Sequence, residues 1–379
     1  MIHADYIITG GGASGLLLAH RFASDPFFAE KSILIIEKEE KNSNDRTWCF
    51  WEAPNGEFDF LVHKKWDEGI FSSENFKKAF SFLPYQYKMI RSAHFYSYIH
   101  QELKTKNNIT LLKESVIDIR NQQQKVIVKT NNNTYSCHKC FNSILNTEPV
   151  LNQKKYPVIQ QHFSGWFIKT DKECFDEDKM TFMDFNIPQK GNTRFMYVLP
   201  FNKTEALVEY TLFSEHLLPE KTYEEAIKKY LEREGIKNYL ITEKEKGSIP
   251  MTSYEFWKNN SKNIINIGTA GGWAKASTGY TFSNTLHKTS QLTEFLKTEN
   301  DLSKFSRKNR YWYYDLLLLD ILHKTNAAGS TIFSSLFKKN DPAEILKFLD
   351  EKTSLYNDFK IMLKAPVKPF LNALLKRLF

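Results

Sequence analysis

The chain has 379 residues, enough for about two domains, and its 41% apolar and 15% aromatic content, with 30 Phe, 18 Tyr and 7 Trp, suits either a merely aromatic core or a site for a large apolar ligand. Four scattered cysteines (Cys49, Cys137, Cys140, Cys174) exclude a disulfide scaffold, and the most apolar block, Leu316 to Leu319 between Asp315 and Asp320, is far short of the roughly 20 residues that cross a membrane. The net charge of +8 is unevenly placed: residues 359–379 carry Lys360, Lys364, Lys368, Lys376 and Arg377 without an acid, which suits an anionic membrane surface, and no recognised module points to nucleic acid.

The opening Met1-Ile2-His3-Ala4-Asp5 has no basic flank and reads as no secretory signal. An apolar run, Tyr6-Ile7-Ile8-Thr9, stops at Gly10-Gly11-Gly12-Ala13-Ser14-Gly15 and resumes as Leu16-Leu17-Leu18-Ala19-His20. This predicts a buried parallel strand, a glycine turn and a helix. Gly10 would take the sharp turn, Gly12 would let backbone meet a pyrophosphate, and Gly15 would allow close helix–strand packing, with free N–H groups at Ala13 and Ser14 facing the phosphates. A second strand, Ile33-Leu34-Ile35-Ile36, ends on Glu37, 22 residues past Gly15, where a ribose hydroxyl is bound in this motif. Next comes Arg46-Thr47-Trp48-Cys49-Phe50-Trp51, which would either line a cofactor or form a local hydrophobic knot. A helix is predicted from Ser92 to Lys106 on the spacing of Phe95, Ile99 and Leu103, led by Arg91 at a position that could hold phosphate.

From Ile109 to Leu145 the period becomes strand-like, and the short runs at 109–112, 116–119, 125–128 and 134–137 predict a β-meander inserted in the nucleotide domain. Cys137-His138-Lys139-Cys140 has no second pair and carries no function in this reading. Four strands follow, around 161–168, 180–185, 194–201 and 206–213, then a helix from Tyr223 to Arg233, and these form a substrate domain. Leu207, Glu209, Thr211 and Phe213 share one strand face, so burial of that face would keep Glu209 protonated near neutrality. Asp184, at a strand end, is the next candidate for a proton or orienting role. The nucleotide domain resumes at Ile264-Ile265-Asn266-Ile267, followed by Gly268-Thr269-Ala270-Gly271-Gly272 and a predicted helix start near Ser277-Thr278-Gly279. The rest, from Thr285, is predicted helical, and at its end Phe370, Leu374 and Leu378 recur at helical spacing beside Leu371 and Leu375, either packed on the protein's own body or docked on a membrane.

These motifs in this order resemble the lycopene cyclase family, in its bacterial lycopene beta-cyclase branch. The resemblance is carried by the glycine fingerprint, Arg46 to Phe50, Gly165-Trp166, Met183-Asp184-Phe185, Arg194 to Phe201, Val208-Glu209-Tyr210-Thr211, Gly268 to Trp273 and Ser277-Thr278-Gly279-Tyr280. It implies an α/β fold similar to flavin monooxygenases: a Rossmann-like FAD/NAD(P)-binding part (1–150 and 256–300), an antiparallel-sheet substrate domain (151–255) and a helical C-terminal region (301–379). It further implies reduced FAD, with Gly271 and Gly272 on its isoalloxazine side and NAD(P)H as a potential electron source. The implied substrate is the carotenoid lycopene, the implied acid is Glu209, and the implied location is peripheral to a membrane on its cytoplasmic side. The alternatives are a redox flavoenzyme on the same fold, either monooxygenase or polyprenyl reductase, and a non-catalytic carotenoid or flavin carrier. Three positions depart from the family pattern: Tyr210 stands where a second acid is frequent, Ala276 replaces a Pro, and Asp45-Arg46 replaces Asn-His. The first removes one source of a second carboxylate.

Overall fold

The computed structural model describes residues 2–378 and is mixed α/β throughout. The chain opens with β1 (Ile2–Thr9), α1 (Ala13–Ser24) and β2 (Ile33–Glu37), the strand–turn–helix–strand unit read from the sequence. β1 is apolar on both sides because both are covered. Tyr6 and Ile8 pack on the helix layer, whereas Ile7 packs against Val126, Val128 and Cys140 on the other face. Between β2 and the next helix the chain makes five strands that the sequence reading had left unassigned: β3 (Thr47–Glu52), β4 (Val62–Trp66), β5 (Glu68–Ser73), β6 (Phe76–Ser81) and β7 (Gln86–Arg91). β3, β7 and β4 form a small antiparallel sheet, with β7 buried along its whole length.

α2 (Ser92–Lys104) then leads into β8 (Ile109–Lys113). β8 does not open the meander, as its period suggested. It pairs in parallel with β2 and so extends the nucleotide sheet, because a strand reached through a crossover helix returns parallel. The meander is β9 (Val116–Gln122), β10 (Lys125–Thr130) and β11 (Thr134–Asn142). β11 joins the two parts: one side pairs with β1, and the other pairs first with β10 and then with β17.

After the short α3 (Glu148–Asn152), the large sheet is built from β12 (Ile159–Thr170), β13 (Lys179–Asp184), β14 (Arg194–Pro200), β15 (Glu205–Ser214) and, beyond α4 (Glu220–Arg233), β16 (Tyr239–Met251). Its order is β16-β12-β15-β14-β13-β5-β6, so the early hairpin at 68–81 completes a sheet whose other strands lie about a hundred residues later. α4 covers one face, packing Tyr223, Ile227 and Tyr230 on Val208, Tyr210 and Leu212. The opposite face meets the C-terminal helices through Leu207, Phe213, Phe182, Phe333 and Phe337. Each such side chain, fully buried, contributes roughly 1.5–3 kcal/mol, so the two faces are committed to opposite neighbours and a one-residue slip would invert them.

β17 (Ile264–Asn266) returns to β11 and ends in a tight turn over Gly268–Gly271. The helix expected near Ser277 starts later. Residues 277–279 form a turn closed by the Gly279 N–H on Lys275 O (2.8 Å), with Gly279 at φ +75°, and α5 (Phe282–Thr298) follows. The remainder is helical as predicted: α6 (Arg310–Lys324), α7 (Ala328–Lys339), α8 (Pro342–Leu349), α9 (Leu355–Met362) and α10 (Val367–Leu378). Among the described residues no helix is long and apolar enough to cross a membrane.

Candidate active site

The glycine turn places its residues as the sequence spacing requires. Gly10 has φ +93° and its N–H donates to Ile36 O at 2.8 Å, which fixes the turn on β2. A Cβ at Gly15 would stand 2.0 Å from Gly10 O, so α1 can lie this close to β1 only with glycine there. A Cβ at Gly12 would meet nothing within 4 Å. Gly12 is also the N-cap of α1 and offers no side-chain cap, leaving the first-turn N–H groups, those of Ala13 and Ser14 among them, directed into the same open space. Glu37 lies at its edge, one carboxylate oxygen accepting from the Gly11 N–H at 2.6 Å and the other from the Glu39 N–H at 2.9 Å. The second glycine loop closes on the first, since a Cβ at Gly268 would fall 1.9 Å from Ser14 Oγ. Gly271 lies against Asn266 O, Gly272 takes φ +70°, and Thr278 borders a small cleft with Phe50, Trp51 and Tyr280. An open lane beside a helix start, framed by two glycine loops and one carboxylate, fits the pyrophosphate and ribose of a dinucleotide.

The aromatic-rich segment after β2 divides its roles. Trp48 packs on Phe95, Tyr96 and Phe282, so it serves the knot. Arg46 is exposed and donates to Asp45 O at 2.6 Å. Thr47 turns to the large sheet, its hydroxyl donating to Glu245 Oε2 at 2.6 Å. Arg91, expected to hold phosphate, lies instead over the Phe167 ring and donates from one nitrogen to both carboxylate oxygens of Glu243 (2.7 and 2.6 Å).

The face of β15 that holds Glu209 is the one turned to the C-terminal helices. Glu209 stands opposite Tyr197 on β14 and opposite Gly165 on β12. The Thr211 hydroxyl donates to Glu209 Oε1 at 2.5 Å, and burial, reinforced by the nearby Glu245 carboxylate, pushes Glu209 up to about 8. It therefore carries a proton at neutral pH. Around it Tyr197 donates to the Tyr87 hydroxyl, which is 2.8 Å from that of Tyr280, and Trp51 presents its edge to Tyr280. Burial drives the tyrosines and the Cys49 thiol up, so these neighbours are neutral. The result is one transferable proton held among neutral aromatic side chains, with the Glu245 carboxyl as the charged group nearby.

Asp184 does not share this pocket. It pairs with Met196, which in turn pairs with Tyr210, and Tyr210 alternates with Glu209 along β15. On the α4 side Asp184 accepts from Arg233 at 2.8 Å and from the Tyr230 hydroxyl at 3.2 Å, so it is a structural anchor and not a free acid. The same parity disposes of Tyr210: a carboxylate at 210 would point toward α4, away from Glu209.

The chain matches the family described as lycopene cyclase protein over residues 5–375. It belongs to the lycopene cyclase family. Among solved structures, this cyclase-family chain is similar in fold to a geranylgeranyl bacteriochlorophyll reductase-like protein from Thermoplasma acidophilum (TM-score 0.69, 12% identity, 98% of each chain covered). It is similar also to a flavoprotein/dehydrogenase from Cytophaga hutchinsonii (0.64, 11% identity, 99% of this chain and 100% of that one) and to a halogenase crystallised with FAD (0.58, 13% identity, 92% and 79%). No curated protein matches the sequence significantly.

Glu245 and the Tyr87–Tyr197–Tyr280 hydroxyl cluster were missed by sequence reasoning. The run Glu243-Lys244-Glu245-Lys246 looks like a solvated charge cluster. Its strict alternation of sign was the available signal, because in a strand it puts both acids on one face and both lysines on the other. The tyrosines come from three distant segments and had no local signal.

Proposed function

We propose that this protein is a lycopene beta-cyclase, an isomerase that binds FAD non-covalently and converts the linear ψ ends of lycopene to β-ionone rings, through gamma- to beta-carotene, with no net redox change. The observation that carries this reading is Glu209: a carboxylic acid kept neutral on an inward strand face among aromatic rings. An acyclic polyene end has no leaving group, so ring closure must begin by adding a proton to a C=C bond, and a neutral carboxylic acid in a dry pocket can give it. The Glu209 O–H bond breaks, a C–H bond forms at the terminal double bond, and the adjacent cation is captured by the next double bond to close the ring. Rings of Tyr197, Tyr87, Tyr280 and Trp51 turned to that cation would offer it negative π density. The Thr211 hydroxyl holds the acid in place and stabilises its conjugate base. Bound FAD, in the reduced form supplied by NAD(P)H, would add an electron-rich ring that opposes the positive charge. Gly10, Gly12, Ala13, Ser14, Gly15 and Glu37 would hold its adenosine diphosphate part, and Gly268, Gly271 and Gly272 its other end.

A substrate that dissolves only in lipid has to be taken from lipid, and the end of the chain supports a peripheral position on the cytoplasmic side of a membrane. α10 is fixed to the body by Phe370, Ala373 and a two-pronged pair from Arg377 to Asp320 (2.7 and 2.6 Å). Its other side leaves Leu371, Leu374, Leu375 and Leu378 exposed, continuous in sequence with exposed Phe359 and Leu363 of the α9 segment and interspersed with Lys360, Lys364, Lys368 and Lys376. The two uses weighed for this stripe are thus compatible on one helix.

Coexpression with a lycopene-making pathway tests the function: pigment separation should show gamma- and beta-carotene of unchanged mass. A product heavier by hydrogen would instead make the protein a polyprenyl reductase, the reading favoured by the likeness to the Thermoplasma fold. Unaltered lycopene would leave only a carrier role.

A further inference from the structure

Acid-initiated cyclisation needs a base as well as an acid, since a proton enters at one carbon and another leaves from the carbon beside the cation. We propose that Glu245 is that base, forming with Glu209 a two-carboxyl site spread over three strands and joined across Gly165. The proposal rests on the cyclase reading above and extends it.

The register brings the pair together. Glu209 on β15 is directly opposite Gly165 on β12, and Gly165 is directly opposite Glu245 on β16. Residues in one cross-strand row project to the same face, so the two acids flank a position with no side chain. A Cβ placed on Gly165 would lie 2.8 Å from Leu207 Cδ1, 3.2 Å from Glu245 Cγ and 3.4 Å from Glu209 Cβ, so the aliphatic stems of both acids close over β12 beside Leu207 because glycine leaves room for them. Each carboxyl is steered by a hydroxyl donor: Thr211 at 2.5 Å for Glu209 and Thr47 at 2.6 Å for Glu245.

Burial raises both acids and the Glu245 charge opposes that of Glu209, so one of the two takes up a proton before the other does. The surroundings decide where it sits. Glu209 faces Tyr197, Tyr280 and Cys49, all neutral. Glu245 faces the positive charges of Arg91 and Arg46 with Glu243 as the opposing acid, and they favour its carboxylate. The resting state is therefore acid at Glu209 and base at Glu245.

The cycle balances without an oxidant. Glu209 gives its proton to the terminal double bond, the new ring C–C bond leaves a tertiary cation, and the C–H bond next to that cation breaks toward Glu245, its electron pair becoming the ring double bond. Return of the proton from Glu245 to Glu209 resets the pair, and the substrate has been isomerised.

The test compares Glu245→Gln, Glu245→Asp and Glu209→Gln in the full chain, scored for cyclised carotene in lycopene-accumulating cells and, on purified protein, for flavin content and infrared titration of protonated carboxyl groups. Glu245→Gln should lose product by about 10²–10⁴-fold with flavin retained, and Glu245→Asp should recover part of it. Removing the neighbouring charge should also move the Glu209 titration from about 8 downward by about a unit or more, a shift that a Glu245 remote from Glu209 or uncharged beside it would not give. Parental product from Glu245→Gln beside an inactive Glu209→Gln overturns the base and leaves the cyclase reading standing. Loss of flavin together with product, or an unmoved Glu209 titration, also overturns it. Absence of cyclised product from the parent protein rejects the cyclase reading itself, whereas the titration result still reports on the pair.

Discussion

Replacing Gly12 by Val separates the cofactor lane from the fold. Gly12 has φ −78° and ψ −169°, a region open to any residue, and a Cβ there meets no protein atom within 4 Å. Loss of a favourable N-cap glycine costs about 1 kcal/mol, while a stiffer unfolded chain returns about 0.4–1 kcal/mol. At roughly 2.1 cal/mol/K per residue over 379 residues, 1 kcal/mol moves Tm by about 1 °C, so Tm should stay within about 1 °C of the parent. Two methyl groups would nonetheless occupy the lane beside the α1 N–H groups, and flavin content of the purified protein, read from absorbance after release, should fall sharply. Gly15→Ala is the control with the opposite signature. Its methyl would meet Gly10 O at 2.0 Å, and that oxygen belongs to a turn held by the Gly10 N–H on Ile36. Overpacking against backbone costs about 3 kcal/mol or more, and Tm should drop by about 4 °C or more. Parental flavin loading in Gly12→Val refutes the assignment, as does a Tm loss matching that of Gly15→Ala.

Glu209→Gln should reduce cyclised product by about 10²–10⁴-fold with flavin still bound, and parental turnover would place the acid elsewhere. Because Glu209 is raised to about 8 from 4.5, the folded state holds a proton that the unfolded state releases between those values, so stability falls as pH rises from about 4.5 to about 8 and levels off above it; activity should fall as Glu209 ionises around pH 8, and thermal melts of Glu209→Gln should lose less stability between pH 6 and about 8 than the parent. Asp184→Asn should lower Tm through its Arg233 and Tyr230 contacts without a selective loss of product per folded protein; a selective loss would return Asp184 to the chemistry. Leu371→Asp with Leu375→Asp, both about half exposed, should leave Tm unchanged and reduce flotation on anionic liposomes severalfold, whereas equal flotation would remove α10 from the membrane contact.

How much of this was legible in the sequence follows the range of the interactions involved. The β1–α1–β2 unit was read with the right order and with the ends of both strands in place, although β1 begins four residues before the apolar run, because turn, helix start and carboxylate lie in one continuous stretch. The four central strands and α4 were found for the same reason: periods of 2 and 3.6 are local properties. What failed was partner choice. Ile109–Lys113 has the period of any strand, yet its place beside β2 is set by the crossover helix before it. The place of the β5–β6 hairpin was hidden because β5's other partner, β13, comes about a hundred residues later. The start of α5 slipped because Ser277-Thr278-Gly279 looks like a capping segment, although Gly279 at φ +75° closes a turn first.

The site was legible to the same degree and for the same cause. Parity along β15 put Glu209 on a mostly apolar face and left open whether that face is covered; the structure covers it, and the burial raises Glu209. Parity could not say that position 210 belongs to α4. The missing acid was therefore sought next in sequence, where strand geometry sends it to the wrong side. Two residues meet on one face of a sheet either two apart along a strand or across the ladder, and Glu245 reaches Glu209 by the second route, 36 residues later and with Gly165 between them. A glycine inside an otherwise bulky strand marked the place. In Phe163-Ser164-Gly165-Trp166-Phe167 the neighbours on its own face are half-buried Phe163 and buried Phe167, and omitting a side chain between two rings loses packing. Such a gap survives when the strands on either side fill it, and here they fill it with Leu207 and the aliphatic stems of Glu209 and Glu245.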